Sequence, residues 1–163
     1  MRPVEAREQL CQWLRKRGIL DALEGQRERH AVRTAAGEEC LLWLPEQDTA
    51  LFVFVLVAEL AMPRDNDILA LAMALNLEPS RIQGASLGYN PGSKQLMLRS
   101  VHPMDDLDEP GLDRIMTHMG TLAGALKLYI DAYRRQEAAN RRVQKGPLLS
   151  PALHPSARLF RTE

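Results

Sequence analysis

Apolar residues recur at helical spacing over residues 4–17, where Leu10, Trp13 and Leu14 form one stripe. Gly18 follows Arg15, Lys16 and Arg17. A glycine that accepts positive φ, behind cations that suit the helix's negative end, predicts a C-terminal stop. Three strand-like runs come next, over 29–34, 39–44 and 49–58, with polar breaks at Ala35-Ala36-Gly37-Glu38 and Pro45-Glu46-Gln47-Asp48. Short runs joined by short turns predict an antiparallel meander. The third run is apolar on both alternations: Leu51, Val53, Val55 and Val57 on one, Phe52, Phe54 and Leu56 on the other. Such a strand is either buried on both faces or holds one face open for a partner.

Met62-Pro63-Arg64-Asp65 breaks the pattern, and Asp65 or Asn66 can cap a helix over 65–77. Ile68, Leu69, Ala72, Met73 and Leu75 make this helix apolar around much of its circumference, with Leu71 off the main stripe. It needs burial on more than one side, and a subunit interface would supply the second. Glu78-Pro79 ends it. Strands over 82–89 and 94–101 follow, joined by Asn90-Pro91-Gly92-Ser93, whose Pro-Gly pair predicts a type II turn. Asp105-Asp106-Leu107-Asp108-Glu109-Pro110 starts a long helix over 109–139, with carboxylates at its positive end and proline in its first turn. Its apolar stripe runs from Leu112 through Tyr133; Gly120 and Gly124 share a face and predict close packing on the sheet.

Composition changes the picture in one respect. The chain has 163 residues, 21 Lys+Arg and 21 Asp+Glu, so its net charge is zero. That sum excludes a uniformly basic or uniformly acidic protein. Seven cations and two carboxylates fall within 134–163, leaving −5 on residues 1–133 and +5 on the rest. Asymmetry of this kind bears on partners. The expected organisation is one domain over 1–140 and a basic, Pro-containing, flexible tail over 141–163. Leu148, Leu149 and Leu153 are a docking spot within that tail. Residues 1–9 are charged and read as helix rather than secretory leader. The apolar run 50–58 is far shorter than the roughly 20 residues of a membrane helix. Membrane insertion is not expected.

Catalytic chemistry finds little footing. His30, His102, His118 and His154 do not pair at metal-ligand spacing, and Cys11 and Cys40 lie outside any CxxC. Neither a metal nor a cofactor is expected. His102 beside Asp105 and Asp106 reads as a strand-end surface histidine. GASLG over 84–88 is not a phosphate-binding loop, and the acidic cluster at 105–109 reads as helix capping. The basic tail has one interleaved aromatic, Phe160, so nucleic acid is not the expected partner.

The element order is helix, three strands, helix, two strands, long helix: an α+β fold with an antiparallel twisted sheet of about five strands. Within it, GASLGYNPGSKQLMLRSVHPMDDLDEPGLDRIM followed by GTLAGALKLYIDAY resembles the class I type III secretion chaperones, the Tir-chaperone or CesT-type family. Leu87-Gly88-Tyr89-Asn90-Pro91 and Pro103-Met104-Asp105-Asp106-Leu107-Asp108 carry the resemblance, which covers residues 4–139. It implies a bacterial cytoplasmic homodimer that binds the N-terminal segment of a secreted effector and keeps it export-competent without ATP. From the family pattern, Leu10, Trp13, Leu14, Leu42, Leu44, Phe52 and Phe54 are candidate client-binding residues. Ile68, Leu69, Ala72, Leu75, Leu96 and Leu98 are the candidate dimer interface. A regulatory module of the same fold, sequestering a transcriptional regulator or a secretion component, is the alternative. The basic tail is longer than such a chaperone needs.

Overall fold

The computed structural model describes residues 1–19, 27–35 and 37–144; the tail beyond 144, with Leu148, Leu149 and Leu153, lies outside the described residues. Its elements are α1 (Pro3–Lys16), β1 (Arg29–Arg33), β2 (Glu39–Trp43), β3 (Ala50–Glu59), α2 (Asn66–Leu75), α3 (Pro79–Ile82), β4 (Ser86–Asn90), β5 (Gln95–Pro103) and α4 (Glu109–Gln144). The chain divides into two units, Met1–Ile130 and Asp131–Glu163. The first holds the whole sheet. The expected α+β architecture is present, with one addition, the single turn α3.

All five strands pair antiparallel in the order β1-β2-β3-β5-β4. Every second residue faces the core: Val32 of β1, Cys40 and Leu42 of β2, Leu51, Val53 and Val55 of β3, Leu98 of β5 and Leu87 of β4. Helix α4 covers this inner face. Cys40 Sγ lies 3.9 Å from the Met116 carbonyl oxygen. A Cβ on Gly120 would stand 3.2 Å from Thr34 Oγ1, so that glycine permits the close approach expected of it. Gly124 has nothing within 4 Å of the same position and does not. Lys127 pairs with Glu38 in the β1–β2 turn.

Local chemistry sets the element ends. Gly18 adopts φ +67°, with its amide on Arg15 O at 2.9 Å and the Ile19 amide on Leu14 O at 3.0 Å. This closes α1 as the sequence predicts. Lys16 and Arg17 then reach α4 through Glu109 and Asp113. Asp108 Oδ1 accepts the Gly111 amide at 2.7 Å, capping α4. The β4–β5 turn differs from the expected type II form. Gly92 does not have positive φ; Lys94 does, at 56°. Asn90 Oδ1 accepts the Gly92 and Ser93 amides at 3.0 and 3.4 Å, so its side chain organises a four-residue loop that closes through Lys94.

Asn76, at the end of α2, accepts the Leu87 amide on its Oδ1 at 2.7 Å and donates its Nδ2 to the Leu87 carbonyl at 2.9 Å. One side chain thus ties α2 to edge strand β4 and occupies backbone groups that an edge otherwise leaves to other chains. Among the described residues, no helix is long and apolar enough to cross a membrane.

Candidate functional site

The alternation that buries Leu42, Val53 and Leu98 sends their neighbours to the opposite face. Register pairs Leu41 with Phe54 and Trp43 with Phe52, then Phe54 with Arg99 and Leu56 with Met97. These positions are half-buried, Arg99 excepted, which is exposed. The Trp43 and Phe52 ring centroids lie 5.2 Å apart, Trp43 and Phe54 6.3 Å, and Phe52 and Phe54 6.4 Å, the last pair stacked. Rings at these separations attract beyond their area burial and hold one another rigid. Arg29 Cζ sits 5.0 Å from the Trp43 ring centroid, and Arg99 Cζ 5.4 Å from that of Phe52.

This outer face carries a groove of about 410 Å³. Among the described residues every side of it is strand: Arg29, Leu41, Trp43 and Phe54, then Met97, Arg99, Gln95 and the length of β4. A Cβ on Gly88 would meet nothing within 4 Å, so β4 leaves open space beside Met97, its register partner. The chemistry on offer is apolar burial, ring stacking and two positive charges.

The candidate client-binding residues do not fall on one surface. Leu10, Trp13 and Leu14 are buried on α1, and Leu42 and Leu44 are buried too. Only Phe52 and Phe54 lie on the outer face. The reason is parity. Leu42 pairs with Val53 and Trp43 with Phe52, so Leu42 and Phe52 point to opposite sides of the sheet. Trp43, the centre of the aromatic cluster, was not among the candidates. Its signal was its place one residue from Leu42 in a strand that must pair with β3.

The candidate dimer residues divide in a similar way. Ile68, Ala72 and Leu75 are buried within the chain, as are Leu96 and Leu98, and Leu69 is half-buried. The exposed side of α2 belongs to Met73, 60% exposed, with Leu77 just beyond it at 83%.

Cys40 and His102 are among the titratable groups on the inner face. Burial pushes the Cys40 thiol up to about 11, with Glu38 adding to the rise. His102 is the partner of buried Leu51, 2.9 Å from Ser100 Oγ. Desolvation lowers its pKa. It is half-buried rather than the surface histidine expected.

The model of the Tir chaperone protein (CesT) family matches residues 14–127. The chain belongs to the Tir chaperone family. Solved structures of like fold include a chain from the HopA1–SchA chaperone–effector complex, 16% identical. Its TM-score is 0.56, over 77% of this chain and 94% of that one. A chain from the ExoU–SpcU complex of the Pseudomonas aeruginosa type III secretion system is 14% identical, with TM-score 0.56 over 72% and 94%. One from the ExsC–ExsE complex is 14% identical, with TM-score 0.56 over 77% and 92%. No curated relative matches by sequence. This Tir-chaperone-family chain thus keeps the family's fold at an identity where few particular side chains are shared. The matched span takes in all five strands, and so the whole outer face.

Proposed function

We propose that the protein is a chaperone for a type III secreted effector. It binds the effector's N-terminal segment on the outer face of the sheet and keeps that segment soluble and export-competent. It works without ATP, in the bacterial cytoplasm, by binding rather than catalysis. The observation that carries this reading is the rigid aromatic cluster of Trp43, Phe52 and Phe54, half-buried on the outer face, with Trp43 and Phe54 lining a groove walled by strands. A contiguous apolar surface of this kind marks an interaction site. A non-globular segment can lie along it without a deep pocket, since ordering happens on binding. Family membership and the chaperone–effector complex among its structural relatives support the same reading.

The working form is a homodimer. The second copy seats on the solvent side of α2 and the turn that follows it, where Leu69, Met73 and Leu77 recur every four residues. Ile68, Ala72 and Leu75 hold the opposite side of α2 to its own chain. A two-fold contact uses this patch twice.

Co-expression with a type III effector tests the reading. A stable complex with the effector's N-terminal segment is expected, lost in a Trp43→Ser/Phe54→Ser variant that still folds. Binding of that variant as tight as the parent's overturns the assignment of the surface. Recovery of a transcriptional regulator and no effector moves the function to the regulatory module.

A further inference from the structure

We infer that the outer face selects a partner segment in which carboxylates flank apolar side chains. This rests on the reading of that face as the binding surface. Arg29 on β1 and Arg99 on β5 border the aromatic cluster, each guanidinium over a ring. Neither makes an ion pair among the described residues. A ring face attracts the cation but leaves its N–H donors without oxygen acceptors. The nearby carboxylates are placed otherwise. Glu28 accepts from Trp43 Nε1 at 3.4 Å. Glu39 is the partner of Arg33, and Glu59, the partner of Gln95, ends β3. Two planar forks thus flank an apolar floor, the donor geometry that matches carboxylates.

Other occupants fit less well. The chain's own residues 145–163 carry Lys145, Arg158 and Arg161 against Glu163 alone, and like charge opposes them here. A second copy laid face to face about a two-fold axis would set the Arg29, Arg33 and Arg99 of one copy on the same face as those of the other, like charge against like. A segment with acidic residues at either end of an apolar stretch satisfies rings and guanidiniums together. β1 and β5 are three strand steps apart, roughly 14 Å. Its carboxylates would then stand roughly four to five residues apart if extended. The preference is local, because residues 1–133 as a whole are negative and their long-range field favours a basic partner.

Three dye-labelled synthetic peptides of 20 residues, identical in their apolar positions, test this by fluorescence anisotropy with the full chain. One carries Glu at the polar positions, one Gln, one Lys. The Glu peptide is expected to bind about tenfold tighter than the Gln peptide at low salt, as two such pairs together allow. The Lys peptide should bind weakest. The Arg29→Gln/Arg99→Gln variant should erase the ranking, so that the Glu and Gln peptides bind alike. Each single variant should lose part of it. If the Gln and Glu peptides bind alike, or the Lys peptide binds best, the acidic preference is overturned and the apolar surface stands. If no peptide binds the parent chain, the surface reading falls and the preference with it.

Discussion

The inner and outer faces of the sheet are made by alternate residues of the same strands, and on β3 they are about equally apolar. Leu51, Val53 and Val55 are fully buried, whereas Phe52, Phe54 and Leu56 are half-exposed. Hydrophobicity does not separate them. What separates them is cover: α4 lies over the inner face, with Gly120 set against Thr34, while the groove on the outer face is bounded by strands. The contents differ as well. Aliphatic side chains that interdigitate fill the inner face, and flat rings topped by arginines occupy the outer one. A core is optimised for density; an uncovered face can keep rigid, stackable groups and charges that stay hydrated.

The largest effect should come from exchanging like for like across this divide. Leu98→Ala removes a fully buried side chain and should cost about 2–5 kcal/mol in urea unfolding, since the covered face cannot collapse around the hole. Phe54→Ala on the outer face should cost about 1 kcal/mol, yet weaken client binding tenfold or more. Equal destabilisation by the two would mean that the outer face is packed like the core, and the comparison would fail.

Cys40 sharpens the inner half. Its thiol is held up to about 11 by burial, above the usual 9.0, so between those values the unfolded chain loses its proton first. The folded state then binds more protons, and stability falls as pH rises from 9 to 11, by about 2 kcal/mol. Cys40→Ala should flatten that slope in urea melts across the range. A slope unchanged by the substitution would mean that the thiol is already solvated.

Asn76 lies at the sheet's edge, on neither face. Asn76→Ala would leave the Leu87 amide and carbonyl unpaired and should cost about 1–3 kcal/mol. Amide exchange should quicken at Leu87 while it stays slow on β3. Uniform loss of protection would show that α2 stabilises the sheet as a whole.

Much of this was legible in local chemistry. Gly18 as a stop and Asp108 as part of an acidic helix start are both decided by a residue and its near neighbours, so local pattern finds them. The open face was legible as one of two readings of 49–58. Choosing between them needs to know where α4 lands, which no window contains. Trp43 was missed because Leu42, Trp43 and Leu44 look equally apolar until the register with β3 assigns them to faces. Asn76 reads as an ordinary helix-end residue; its bonds to Leu87 span a loop and α3. The Asn90-Pro91-Gly92-Ser93 turn was located but mistyped, because the Asn90 side chain, rather than a positive φ at Gly92, organises it.

The smallest expected effect belongs to His102, where the inner face runs out towards solvent. His102 pairs with buried Leu51 and its ring reaches Ser100 Oγ, but Asp106, Asp108, Arg114 and His118 line the clefts beside it. Desolvation lowers its pKa below the ordinary 6.5, so on acidification the unfolded chain takes up that proton first. The contribution is present above 6.5 and is lost as pH falls through the lower, folded value. His102→Gln keeps a hydrogen-bonding side chain and removes the titration. It should therefore flatten the pH dependence of the urea midpoint below 6.5 and leave the neutral-pH midpoint nearly unchanged. A slope that survives the substitution would place the acid sensitivity elsewhere and make this end of the inner face as wet as the outer one.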